Sequence, residues 1–138
     1  LAERKTEDVV SAVETWVADL DKSSANYSHD LLEANWILQS HNVVDMDLLS
    51  AALNSDDYHC RGAATRIVCD MRHKIPNAMD LIQERIRDDH ARVRLEAVRA
   101  CSFFGEEAIV VALDVLEGDV DTYLQYTLDE TMRHLERN

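Results

Sequence analysis

Apolar residues recur along this chain at the three-and-four spacing of an α-helix, and polar or turn-forming clusters interrupt that rhythm at short intervals. The pattern predicts eight helices. The first covers about 4–21, with Val9, Val13, Trp16, Val17 and Leu20 on one stripe, and the second about 28–39, with Leu31, Leu32, Ala34, Ile37 and Leu38. The third, about 45–54, presents Leu48, Leu49, Ala52 and Leu53 and ends at Ser55-Asp56-Asp57, residues suited to accept the free amides of the next helix. The fourth, about 58–71, runs on Cys60, Ala64, Ile67, Val68 and Met71 and stops before Ile75-Pro76, because proline disfavours helix in the residue preceding it. Pro76 then suits the first turn of the fifth, which ends near residue 87 and carries Met79, Leu81, Ile82 and Ile86. The sixth, about 91–104, shows Val93, Ala97, Ala100, Cys101 and Phe104, and Gly105 closes it. The seventh, about 106–117, stops at Gly118, and the eighth starts after Asp119 and runs on Leu124, Leu128, Thr131 and Leu135 to the end. Helices joined by such short linkers lie antiparallel to their neighbours, so the chain is read as a row of hairpins.

The row is repetitive. A shift of 33 residues lays Leu48, Leu49 and Leu53 on Leu81, Ile82 and Ile86, and carries Asp56 to Asp89, Arg61 to Arg94, Ala64 to Ala97 and Arg66 to Arg99. A shift of 30 brings Ala34 to Ala64 and Ile37 to Ile67, and another 30 carries Asp89 to Asp119 and Ala97 to Thr127. Four units of two helices account for the whole chain as one domain, 1–138. A lone hairpin cannot bury both of its apolar faces, so each unit must stack on the next. The small residues Ala34, Ala64, Ala97 and Thr127 fall where the paired helices come closest.

The string from Asp89 to Val98, DHARVRLEAV, resembles the start of the second helix in HEAT repeats: an Asp in the turn, Val-Arg, then Ala inside the helix. The copy from Asp56 to Ala64 keeps the Asp and the Arg but has Cys60 in place of Val, and the outer units have Leu31 and Leu124 where the Arg would stand. The resemblance implies an all-α, right-handed α-solenoid of about four HEAT-like hairpins. It also implies a structural ladder of Asp56, Arg61, Asp89 and Arg94, the Asp of one unit reaching the Arg of its own or the next. A narrower likeness lies in RVRLEAVRACSFF followed by YLQYTLDETMRHL. It is similar to the helical-repeat spacer of large exported bacterial proteins that join a propeller-type dehydrogenase-like domain to a c-type haem domain. That likeness implies a spacer without chemistry of its own and an exported or periplasmic parent. The start at Leu1 followed by a charged stretch likewise reads as a domain excised from a longer protein.

Charge narrows the partners. There are 27 acidic and 14 basic residues, a net charge of -13, which opposes nucleic acid and anionic membranes. The excess is uneven: residues 1–60 hold 12 acids and 3 bases, 61–100 hold 6 acids and 9 bases, and 101–138 hold 9 acids and 2 bases. A basic waist separates two acidic ends. HEAT-like DNA glycosylases need a basic groove along the whole duplex footprint, which these ends deny.

Candidate chemistry is sparse. Cys60, Cys69 and Cys101 are odd in number and unpaired in spacing, which describes packed thiols rather than a disulfide framework. Cys69 and His73, or His59 beside Cys60, fall short of the three or four converging ligands that a metal requires. The His-Glu pairs of HEAT-like metal-dependent hydroxylases are missing, as are the haem-attachment spacing and any Gly-flanked nucleophile. The expectation is a protein that is not an enzyme and carries no cofactor or metal. It would be a scaffold or spacer offering a concave surface to a protein segment or to a neighbouring domain of its parent chain. A small HEAT-like enzyme or lyase using the groove as a substrate cradle is the alternative. Trp36, Arg66, Arg99 and Asp129 form one column opposite the apolar stripe of the second helices, and are the candidate partner-binding strip.

Overall fold

The computed structural model describes residues 2–137, with side chains from residue 5 onward. Among them are eight α-helices: α1 (Ala2–Ala18), α2 (Tyr27–Ser40), α3 (Met46–Leu53), α4 (Tyr58–Asp70), α5 (Ala78–Ile86), α6 (Ala91–Cys101), α7 (Ala108–Leu113) and α8 (Thr122–Arg137). Short 3-10 turns follow α4, at Arg72–Lys74, and α7, at Asp114–Glu117, and the described residues contain no strand. The molecule is an all-α solenoid of helical hairpins.

Local chemistry sets the helix ends. Asp45 accepts the Leu48 amide at 3.1 Å and Asp57 the His59 amide at 2.9 Å, while Asp121 accepts the Leu124 amide at 2.7 Å, so an aspartate caps three of the starts. At α6 the cap is His90, whose Nδ1 accepts the Arg92 amide at 3.0 Å.

Four boundaries differ from the pattern's prediction. Helix α1 stops at Ala18 because Asp21 turns the chain, accepting the Ser23 amide at 2.9 Å and its hydroxyl at 2.7 Å. Pro76 lies in the turn before α5 rather than in its first turn. Ile75 ahead of it is extended, as proline demands, and buried. Helix α6 ends at Cys101, its exit tightening to amide bonds three residues back from Phe103 to Ala100 and from Phe104 to Cys101. Gly105 then takes φ +90°, a conformation that a side chain would strain. The predicted seventh helix is split, and its 3-10 second half buries Val115 while Leu113 and Leu116 stay exposed.

The helices pair as α1/α2, α3/α4, α5/α6 and α7/α8, and stack in two rows. The second helices α2, α4, α6 and α8 pack side by side along the whole row, most extensively α4 on α6. In the first-helix row α5 touches α7, and α1 meets α3 through side chains, Val13 and Leu48 lying in one buried cluster.

One continuous apolar seam runs from Leu32 through Leu53, Val68, Ile82 and Val98 to Leu135, and a smaller cluster of Val13, Leu31, Ala34, Leu38 and Leu48 joins α1 to it. Beside the smaller cluster, buried Asn35 donates from Nδ2 to the carbonyls of Leu31 and Leu48, at 2.9 and 3.3 Å. Ala34, Ala64 and Ala97 are wholly buried, and Thr127 is half-buried.

Because these alanines fill their sites completely, Ala64→Leu and Ala97→Leu should each destabilise the fold by about 1–3 kcal/mol. Urea denaturation reads this as a lower midpoint, and an unchanged midpoint would mean that the seam has room to spare.

Candidate partner-binding face

Two polar systems flank the α4/α6 contact, one at the turns and one on the open face of the second helices. At the turns, Arg61 of α4 reaches into the next unit. Its Nε and Nη2 donate to the two carboxylate oxygens of Asp88 at 2.9 and 3.0 Å, and its Nη1 donates to the Ser55 and Asp56 carbonyls at 3.0 and 3.2 Å. Asp88 also accepts the His90 amide at 2.9 Å. Arg94, one repeat later, gives Nη1 to the Asp88 and Asp89 carbonyls at 2.7 and 3.0 Å, and Nη2 to the Asp119 carbonyl at 3.2 Å.

Of the four residues named for the ladder, Arg61 takes the Asp56 carbonyl and Arg94 the Asp89 carbonyl, each within its own unit, and neither contact uses the aspartate's carboxylate. The carboxylate belongs to Asp88, one residue earlier, whose counterpart in the preceding unit is Ser55. Arg85 reinforces the join, donating from Nη1 to the Leu53 carbonyl at 2.5 Å.

The fork contact is mostly dry, with side-chain exposures of 16% for Arg61 and 5% for Asp88. Burial alone would raise the Asp88 pKa. The Arg61 hydrogen bonds, the His90 amide and the charges of Arg61 and Arg85 outweigh it and hold the carboxyl below its usual range. The Asp88 hydrogen bond in turn pushes the Arg61 guanidinium up.

On the open face Trp36 is 41% exposed, and Arg66, Arg99 and Asp129 are exposed as well. Trp36 and Arg66 border a recess of about 260 Å³ that also includes Tyr58, Gly62 and Arg92. Arg66 and Arg99 border a second, of about 280 Å³, with Asp70, Glu96 and Phe103. A third, of about 380 Å³, lies between Arg92, Leu95, Tyr123 and Tyr126. Arg66 and Glu96 are common to the first two and Arg92 to the first and third, so the recesses adjoin one another in a groove over α4, α6 and α8.

Asp129 borders none of these three recesses. It accepts a hydrogen bond from Gln125 Nε2 at 2.9 Å on the exposed surface of α8. Tyr58, Arg92, Phe103, Tyr123 and Tyr126 were missed from sequence. Tyr123 and Tyr126 had a legible signal, standing three apart on α8 and off its Leu124, Leu128, Leu135 stripe.

Aromatic groups along the groove are ordered by stacking. The Tyr58 ring lies 3.6 Å from that of His90 at 5° between planes, and 3.9 Å from that of His59. The Arg72 guanidinium sits 5.3 Å over Phe103. Arg99 reaches Glu96 at 4.0 Å, but neither Arg66 nor Arg92 has a carboxylate within ion-pair distance among the described residues.

Burial pushes the thiols of Cys60 and Cys69 up, and that of Cys101 up to about 12, so all three stay protonated and weakly nucleophilic near neutral pH. The described residues hold no cluster of three His, Cys, Asp or Glu side chains able to bind a metal. His73 instead meets Asn42 Oδ1 at 3.3 Å. Among the described residues, no helix is long and apolar enough to cross a membrane.

Compared with known families, residues 46–132 match the profile of HEAT repeats. The chain belongs to the HEAT-repeat family. The HEAT match takes in α3 to α7 and most of α8, and with them the Arg61–Asp88 fork and most of the groove. No curated protein and no solved structure matches the chain, and the likeness to exported propeller and haem proteins has no support among these comparisons.

Arg61→Ala would strand the Asp88 carboxylate in a mostly dry site and should destabilise the protein by about 3–5 kcal/mol. Arg94→Ala, which removes bonds to carbonyls only, should cost about 1–3 kcal/mol. Because the folded pKa of Asp88 is depressed, its stabilising contribution is complete above the ordinary carboxylate value of about 3.9 and fades as pH falls toward the lowered one. The stability gap between wild type and Asp88→Asn in urea titrations should accordingly narrow on acidification below about pH 4. A gap independent of pH would refute the charged fork.

Proposed function

We propose that the protein is a non-catalytic scaffold or spacer whose concave groove receives a protein segment or a neighbouring domain. The observation that carries this reading is the groove itself. Trp36, Phe103, Tyr123 and Tyr126 are large side chains left exposed along it, interleaved with Arg66, Arg92 and Arg99. Exposed aromatic groups and arginines are enriched at the centres of protein interfaces. HEAT repeats generally act as protein-interaction scaffolds, and stacked hairpins supply long concave surfaces suited to an extended partner. The protonated thiols and the open, shallow recesses favour contact over catalysis.

The test is peptide display on the wild-type protein, with the double variant Arg66→Glu, Arg99→Glu as counter-target. Selected peptides should bind the double variant at least about tenfold more weakly, as expected for interface arginines, while its melting curve stays within about 2 °C of wild type. Peptides that bind both proteins equally would remove the strip from the interface.

A further inference from the structure

The recess over Gly62 adds a second level to that reading and depends on it. Gly62 is the fifth residue of α4, in a helix interior where glycine is the least favourable residue after proline. Two reasons usually justify such a glycine, a left-handed backbone or a close approach of another chain segment. Neither applies here. Its φ is not positive, and a Cβ built there would meet only Glu96 Cγ, at an ordinary 4.0 Å. The corresponding positions of the neighbouring second helices carry Leu32 and Leu95, both engaged with the apolar seam. What the missing side chain leaves is the recess of about 260 Å³ beside Trp36 and Tyr58, with room for one leucine-sized or aromatic side chain.

An independent observation gives the chemistry of the occupant. Acids outnumber bases 27 to 14 in this chain, yet Arg66 and Arg92, which border the recess, have no carboxylate within ion-pair distance among the described residues. Glu96, the acid bordering the same recess, is only 16% exposed and lies toward Arg99. A guanidinium fork left open in an acid-rich protein is a receptor for a carboxylate from elsewhere.

We infer that this recess is the anchor pocket for an acidic peptide segment. One apolar or aromatic side chain of the segment sits over Gly62 against Trp36 and Tyr58, and flanking carboxylates engage Arg66 and Arg92. The acidic ends of the protein, net -9 over residues 1–60 and -7 over 101–138, confine such a segment to the waist between them, net +3 over 61–100.

Fluorescence anisotropy with a labelled peptide of Asp and Glu around one central Phe tests the pocket. The comparison peptides replace Phe by Gly, or the acids by Lys. The Phe-containing acidic peptide should bind at least about tenfold more tightly than either. Gly62→Ala should melt about 2–4 °C higher than wild type, since alanine is the better helix former, and yet bind the peptide more weakly. Gly62→Leu, which plugs the recess, should lose about tenfold or more, as should Arg66→Ala and Arg92→Ala.

Undiminished binding by a folded Gly62→Leu protein, or equal binding of the Lys peptide, would overturn the anchor. Strip-dependent displayed peptides that are not acidic would overturn it too while leaving the scaffold reading intact. Failure of every displayed peptide to depend on the strip would remove that reading by itself.

Discussion

The contact of α4 on α6 is the constraint from which the rest of this molecule follows. Ala64 and Ala97 are wholly buried on second helices that, of all the helices, pack most extensively on one another. An amphipathic hairpin that met no neighbour would expose one apolar face to water, at roughly 25 cal/mol per Å² of surface left uncovered. Stacking removes that surface, so each unit depends on its neighbours for its own stability.

The same contact explains why the polar ladder sits at the turns. With α4 and α6 in register, the Arg61 side chain ends beside the turn leading into the next second helix, where Asp88 stands and where free carbonyls are available. Planar guanidinium groups suit both acceptor types, and a lysine could serve one but not span two. Arg61 therefore ties three points of two units together, and Arg94 repeats the motif with carbonyls alone. The final join differs because the shift of 30 that carries Asp89 to Asp119 puts Gly118 at the place of Asp88, so no carboxylate stands there and Arg94 takes the Asp119 carbonyl. A weaker tie at that end accompanies the broken helix α7 and its exposed Val110, Leu113 and Leu116.

Much of this was readable in the order of residues. Helix number, pairing and the buried alanines came from a period of about 3.6 and a shift of 33, because burial of apolar stripes is an effect summed over many residues and tolerates local error. The ladder's arginines were legible for the same reason. Its carboxylate was not: Asp88 and Asp89 are chemically identical neighbours, and only the turn decides which one faces back into the stack. Pro76 was misplaced by a comparable ambiguity, since a proline is as acceptable just ahead of a helix as within its first turn. In the groove, Trp36, Arg66 and Arg99 follow from helical register. Arg92, two turns before Arg99 on the same face of α6, was legible by that register too, whereas Tyr58 is held by a stack on His90 of the next unit that no single-helix pattern shows.

The distribution of charge then limits what the groove can do. A field from a net charge of -13 acts over several tens of ångströms in dilute salt but decays within about 8 Å under physiological conditions, whereas a guanidinium and a carboxylate in contact are about 3 Å apart. On the proposed reading, the acidic ends weigh against a long polyanion, which must cross them, more than against a short acidic segment, which need only meet the waist. Within the waist, Arg61, Arg85 and Arg94 are already committed to joining units, and Arg99 leans on Glu96. Arg87 pairs with Asp114 and Arg72 lies over Phe103, so the arginines left open in the groove are Arg66 and Arg92, on either side of the one second-helix position where a glycine stands in place of a leucine.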